Sequence, residues 1–194
     1  MSTDRPVPTI PVQQLVNAYC KGRFPMAHEG KLYSHDPDPR AVFDLATITP
    51  DARTARVMRS GRYHTTVNHD FEAVIRACAD REETWLDDVI VRSYIAMYEA
   101  GYAFSLECWE GDRLVGGIYG VAIGRAFFGE SMFGMNNAGK VAFHALVALL
   151  RQRGFILFDT QYINPFTKGL GAKEIPRSLF REQLAHAIRP IDHN

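Results

Sequence analysis

The chain has 194 residues, no net formal charge, 46% apolar and 23% charged residues, values that belong to a folded chain with a substantial core. They exclude disordered, collagen-like and coiled-coil readings, and no apolar run reaches the roughly 18–20 residues of a membrane span. The opening segment MSTDRPVPTIP has no apolar signal region, and Cys20, Cys78 and Cys108 have neither zinc-site nor C-x-x-C spacing, so free thiols in a reducing cytoplasm are expected.

Residues 1–11 hold three prolines and read as a loose lead-in. Val12, Leu15, Val16 and Tyr19 have helical spacing, with Gly22 where a helix should stop. Residues 25–40, rich in Pro, Gly and Asp, predict a stiff extended loop, because a residue before proline is pushed out of the helical region. A seam near Pro50 divides a small N-terminal subdomain, 1–50, from a main domain, 51–194. Asp51 opens a helix carrying Arg53, Arg56, Arg59 and Arg62 along one inclined stripe. A strand follows over 63–67, then a helix from Asp70 to about residue 80, and another over 87–100 closed by Gly101. Strands are expected over 102–110, 113–123 and 125–133, the first two joined by a tight turn at Gly111-Asp112. Asn136 or Asn137 caps a helix ending at Gly154, residues 155–161 form an apolar strand, and Pro176 opens a last helix to 188. The fold class is α+β with a mixed central sheet.

The zero net charge hides a pattern. Residues 1–64 carry nine basic and six acidic groups, 65–112 three and eleven, and 113–194 ten and five. A chain sorted this way can offer a cationic face to one partner and an anionic face to another, although solvated faces also account for it.

Three polar residues interrupt apolar strands. Glu130 lies in Phe127-Phe128-Gly129-Glu130-Ser131-Met132-Phe133, where a carboxylate needs partners because burying it alone is very costly. Asp159 and Gln161 end the strand 155–161, and at i and i+2 both side chains are expected on one face. A carboxylate beside a carboxamide can hold an attacking amine and accept its proton, or orient a carbonyl; a polar strand end at the surface is the plainer alternative. The run Val115-Gly116-Gly117-Ile118-Tyr119-Gly120-Val121 marks a bulge or a close approach by a ligand or another backbone. The seven histidines make no H-x-x-x-H pair, so no metal is expected, and Ser131 lacks a nucleophile-elbow context. The arginine stripe can hold nucleic-acid phosphates or simply face solvent.

Taken together, Gly22-Arg23-Phe24-Pro25, Asp36-Pro37-Asp38-Pro39-Arg40, Thr84-Trp85, the glycine run, Gly129-Glu130-Ser131-Met132-Phe133, Asp159-Thr160-Gln161 and 170–177 resemble the leucyl/phenylalanyl-tRNA–protein transferase family, in order and near-family spacing from about residue 12 to 185. The resemblance implies a GNAT-like acyltransferase domain with a truncated N-terminal subdomain, in a cytoplasmic, monomeric enzyme. It implies transfer of Leu or Phe from charged tRNA to the α-amino group of proteins beginning with Arg or Lys, which marks them for degradation. The donor ester is already activated, so no cofactor, ATP or metal is implied. Asp159 and Gln161 are implied as a polar relay at the attacking amine, with Glu130 at the aminoacyl end. Ile118, Phe127, Met132, Phe143, Leu150 and Phe158 are implied to line the apolar side-chain pocket, which sorts by size and desolvation. Trp85 is implied to stack on the terminal adenine. Arg53, Arg56, Arg59 and Arg62 are implied to face tRNA, and the acidic middle of the chain to attract a cationic acceptor. The sequence departs from the family at Met26, which replaces a tryptophan wall of the adenine site, at Phe166, where a histidine is usual, and ahead of residue 12, where the usual opening segment is missing. An acyl-CoA N-acyltransferase is a rival, but 134–140 lacks a Q/R-x-x-G-x-G/A pyrophosphate loop. A non-catalytic binder of tRNA or of N-terminal signals is the other.

Overall fold

The computed structural model describes residues 9–28, 31–80, 86–135 and 137–189. Leu15, Val16 and Tyr19 form the buried stripe of α1 (Val12–Cys20), and Gly22 at φ +76° ends it where a Cβ would meet the Phe180 ring at 3.1 Å. Of the segment expected as an extended loop, residues 36–39 lie outside any strand, but the part before them forms a two-stranded antiparallel ribbon, β1 (Phe24–His28) with β2 (Lys31–His35), pairing Met26 with Tyr33. Both strands of such a ribbon are edges, so Pro25 need not supply a ladder hydrogen bond.

Next come β3 (Arg40–Phe43) and α2 (Ala52–Arg59), whose Asp51 cap accepts from the Thr54 N–H at 2.7 Å. Then follow β4 (His64–Val67), α3 (Phe71–Ala79) and α4 (Asp88–Glu99), both helices capped by aspartates, Asp70 and Asp87. The meander β5 (Ala103–Glu110), β6 (Arg113–Ile123) and β7 (Ala126–Gly134) turns first at Gly111, which supplies φ +58°. The chain ends with α5 (Ala138–Gln152), β8 (Leu157–Gln161), α6 (Pro165–Gly169), β9 (Lys173–Ile175) and α7 (Arg177–Ala187). The helix α2 stops at Arg59, so Arg62 lies beyond it, past Gly61 at φ +71°.

The strand order is β4-β5-β6-β7-β8-β3-β9, with β7 and β8 parallel and every other neighbour antiparallel. A parallel neighbour needs a crossover, and α5 supplies it. Strand β3, which lies before Pro50 in sequence, inserts between β8 and β9 in this large sheet. Apolar residues from α1, α3, α4 and α7 cover one face; those from α5 cover the other, with Phe43, Leu45 and Ile48 among them. Among the described residues no helix is long and apolar enough to cross a membrane.

Strands β7 and β8 pair only through Ala126–Leu157, Phe127–Phe158 and Phe128–Asp159. Beyond that point β7 stays with β6 and β8 with β3, leaving a gap in the middle of the sheet. Each strand carries a bulge there. The β6–β7 register jumps from Tyr119–Ser131 to Gly120–Gly129, leaving Glu130 without a partner, and the β3–β8 register jumps from Ala41–Gln161 to Val42–Asp159, leaving out Thr160. The glycine run serves these backbone approaches. A Cβ on Gly120 would lie 2.2 Å from the Phe128 carbonyl oxygen, and one on Gly116 would lie 2.8 Å from the Ala138 backbone. Gly120→Ala is expected to destabilise the protein by about 3 kcal/mol through overpacking against backbone that cannot move aside, measured by urea unfolding.

Candidate active site

The gap between β7 and β8 opens a cavity of about 760 Å³. One side is apolar: Phe43, Ile118, Met132, Phe143, Phe158 and Leu170 line it. Four of these are residues implied for the side-chain pocket. The other two of that set lie deeper: Phe127 and Leu150 are fully buried in the core behind the wall, with Phe127 edge-on to Phe158 at 5.3 Å, and neither lines the cavity.

The other side is polar and centres on Glu130, 7% exposed, which the β7 bulge turns towards α1 and α4. Its carboxylate accepts from the Tyr19 hydroxyl at 2.6 Å, the Tyr94 hydroxyl at 3.0 Å and the Gln161 Nε2 at 3.1 Å. The two tyrosine hydroxyls also touch each other. Three contacts in this triangle share two hydroxyl protons, and a proton on Glu130 supplies the third. Burial acts in the same direction: it pushes the Glu130 carboxyl up to about 7, against the pull of the Tyr19, Gln161 and Tyr94 hydrogen bonds. Burial, reinforced by the charge of Glu130, holds both tyrosines well above their ordinary value.

Asp159 and Gln161 take different directions, because the bulge at Thr160 and a φ of +66° at Gln161 break the alternation expected of a strand. Gln161 lines the cavity. Asp159 does not; fully buried, it faces Arg40, also fully buried. Arg40 Nε and Nη2 donate to the two carboxylate oxygens at 2.9 and 2.6 Å, and Nη1 donates to the Gly22 carbonyl at 2.7 Å. The guanidinium lies between the Phe24 and Phe180 rings, 4.8 and 4.3 Å from their centroids. Asp159 Oδ1 also accepts the Gln161 backbone N–H at 2.9 Å.

Met26, from β1, reaches the cavity, as do Tyr162 and Phe166, which are 45% and 47% exposed. The Tyr162 hydroxyl and His35 Nδ1 are 2.8 Å apart, tying the β1–β2 ribbon to the end of β8. Trp85 lies outside the described residues. Arg53, Arg56 and Arg59 are exposed on α2, whereas Arg62 pairs with Glu110 at 2.7 Å. Sequence reasoning missed Arg40, Tyr19 and Tyr94 as site residues. The tyrosines sit at ordinary apolar positions of their helices, and their hydroxyls were the only signal.

The Glu130 environment has a stability consequence. A carboxyl whose value is raised in the folded state contributes most below its ordinary 4.5, and that contribution is lost as pH rises through about 7. Urea unfolding at about pH 5 and about pH 8 is expected to show the wild-type protein losing stability over this window and Glu130→Gln losing less.

The family model for leucyl/phenylalanyl-tRNA protein transferase matches residues 42–185. A leucyl/phenylalanyl-tRNA–protein transferase of Gloeobacter violaceus is 47% identical over 93% of this chain and 95% of the relative. One of Rubrobacter xylanophilus is also 47% identical, over 90% and 93%. In fold, the chain is similar to a GCN5-related glucosamine N-acetyltransferase region of a fungal multi-domain GH3 β-N-acetylglucosaminidase, with a TM-score of 0.52 at 13% identity over 91% of this chain and 24% of that one. Matched nearly end to end by such relatives, the chain belongs to the leucyl/phenylalanyl-tRNA–protein transferase family.

Proposed function

We propose that this protein transfers leucine or phenylalanine from its charged tRNA to the α-amino group of proteins beginning with Arg or Lys, as a cytoplasmic monomer that marks them for degradation. The catalytic unit in this reading is a GNAT-like acyltransferase domain, preceded by a small N-terminal subdomain. The observation that carries the reading is the cavity itself: an apolar wall facing a buried carboxylate, opened between two parallel strands, in a chain of this family.

The apolar wall takes the Leu or Phe side chain, excludes polar ones through desolvation, and separates large apolar side chains weakly. The acceptor nitrogen attacks the ester carbonyl carbon, a C–N bond forms, and the bond from that carbon to the ribose oxygen breaks. One proton leaves the amine, and one is needed by the departing ribose oxygen. Glu130 in its charged form takes the first and returns it to the second, while the Tyr19 and Tyr94 hydroxyls stabilise its charge. With its Nε2 committed to Glu130, Gln161 keeps a carbonyl oxygen to accept from the incoming amine. Met26, Tyr162 and Phe166 offer apolar surface to the terminal nucleoside. The exposed Arg53, Arg56 and Arg59 lie on one helix, where they can meet tRNA phosphates.

Labelled leucine is expected to pass from Leu-tRNA to a peptide starting with Arg, with no acetyl transfer from acetyl-CoA. Acetylation in place of leucylation overturns the reading in favour of an acyl-CoA enzyme, and tRNA binding without transfer favours a binding protein. The wild-type kcat/KM is expected to rise with pH through about 7, the value at which Glu130 loses its proton. Glu130→Gln is expected to lose that limb and about 100-fold or more in rate. Reversing charge at Arg56 and Arg59 together should weaken tRNA binding and flatten its dependence on salt; an unchanged salt slope removes α2 from the tRNA interface.

A further inference from the structure

We propose that Arg40 is a positioning residue for the transfer: through the buried carboxylate of Asp159 it holds the bulge at Thr160 and Gln161, aiming the Gln161 carboxamide at Glu130, and Asp159 itself does not take the acceptor's proton. This rests on the transferase reading above and adds to it a residue and a division of labour.

Asp159 has no access to a substrate. Its Oδ1 accepts from both Arg40 Nε and the Gln161 N–H at 2.9 Å, and its Oδ2 accepts from Arg40 Nη2 at 2.6 Å. Both side chains of the pair are completely buried, and the cavity wall contains Thr160 and Gln161 but not the aspartate between them and Phe158. Gln161 has a backbone conformation that side-chain-bearing residues rarely adopt, at φ +66°. The hydrogen bond from its N–H to a charged carboxylate offsets that strain, so the carboxylate acts on the backbone of the residue two positions on.

The carboxylate's own place is set by Arg40. The guanidinium is fixed on three sides, by the Gly22 carbonyl at the end of α1, the Phe24 ring of β1 and the Phe180 ring of α7. A flat, forked cation fits between two rings while holding both oxygens of a carboxylate, and a lysine ammonium cannot reproduce that geometry. A buried ion pair adds little net stability over apolar side chains of similar volume, so what this one distinctively supplies is direction. From Arg40 the connection runs through Asp159 to the Gln161 backbone, and from the Gln161 carboxamide to Glu130 at 3.1 Å.

The test compares wild-type protein with Arg40→Lys, Arg40→Met, Asp159→Asn and the double variant Arg40→Met/Asp159→Leu, which removes both charges and keeps apolar volume. Leucine transfer from Leu-tRNA to an Arg-starting peptide is followed across pH, separating kcat from KM, with folding checked by circular dichroism. Folded Arg40→Met, Asp159→Asn and the double variant are each expected to lose about 100-fold in kcat, as misplacement of a reacting group does, with little change in KM for Leu-tRNA. Arg40→Lys should recover part of what Arg40→Met loses. The acid limb of the pH profile should persist in Asp159→Asn and in the double variant. Loss of that limb in either makes Asp159 the base and overturns the proposal; so does wild-type kcat in folded Arg40→Met or in the double variant. Should a single variant fail to fold, the double variant carries the test by itself. A wild-type protein that transfers nothing overturns the transferase reading instead, an outcome distinct from the others.

Discussion

Two opposite charges with no exposure to water hold this fold at its centre. Removing Arg40 and Asp159 from solvent is expensive, and their attraction offsets the cost only when geometry is good and the remaining donors and acceptors are met. Here they are, by the Gly22 carbonyl and the Gln161 N–H. The requirement is global, since the groups around the pair come from α1, β1, β3, β8 and α7. Surface contacts bracket the same strand. The Arg177 N–H and Nη1 reach Asp38 Oδ1 and the Asp36 carbonyl at 3.1 and 2.9 Å, tying the segment before β3 to the start of α7. Such exposed contacts are individually weak, but they keep the entrance to β3 in register with a pair that cannot tolerate misplacement.

The site is a controlled failure of sheet pairing. Two parallel strands pair for three residues, then separate, and the bulge on each sends polar groups where the ladder has stopped. The apolar wall is ordinary core, reached because the sheet has opened above it: Phe143 and Phe158 belong to the same cluster as Phe127 and Leu150. The polar side is unlike core. It contains a carboxyl that burial holds near neutrality, two buried tyrosines and a carboxamide, arranged so that protonation of one group changes the hydrogen bonding of the rest.

Elements whose signals are local could be read from the sequence. The β5–β6 hairpin follows from Gly111-Asp112, and the helix starts at Asp51 and Asp70 from short side chains ahead of apolar periodicity. Glu130 was legible because a carboxylate inside an apolar strand is costly without partners. What escaped depends on distant or conformational facts. Pro25 and the Asp-Pro run after it suggested one extended loop where β1 and β2 pair as a ribbon, because a free edge tolerates what a central strand does not. Arg40 follows a Pro-rich run typical of surfaces, and nothing near it announces that its partner is Asp159. Gln161 has no residue type that signals a left-handed backbone, and the strand alternation that pairs it with Asp159 fails at one bulged residue. Arg62 continued the three-residue spacing, but the helix ended at Arg59 and the turn at Gly61 carried it to Glu110.

The position of β3 also bears on when the protein becomes competent during synthesis. Arg40 leaves the ribosome 119 residues before Asp159, and the Phe180 ring that closes its second face comes later still. The meander β5–β7 with α3 and α4 is made of near-neighbour contacts and can organise early, whereas insertion of β3 between β8 and β9 requires closing one of the longest loops in the molecule. A nascent chain can therefore hold the hairpin system with an open seam and a waiting arginine; every residue lining the cavity precedes α7, and what the last helix adds is the Phe180 ring over Arg40. A chain cut short before α7 carries every strand and the ion pair but lacks the Phe180 ring over the guanidinium, a partly built state exposed to misfolding rather than a slower enzyme.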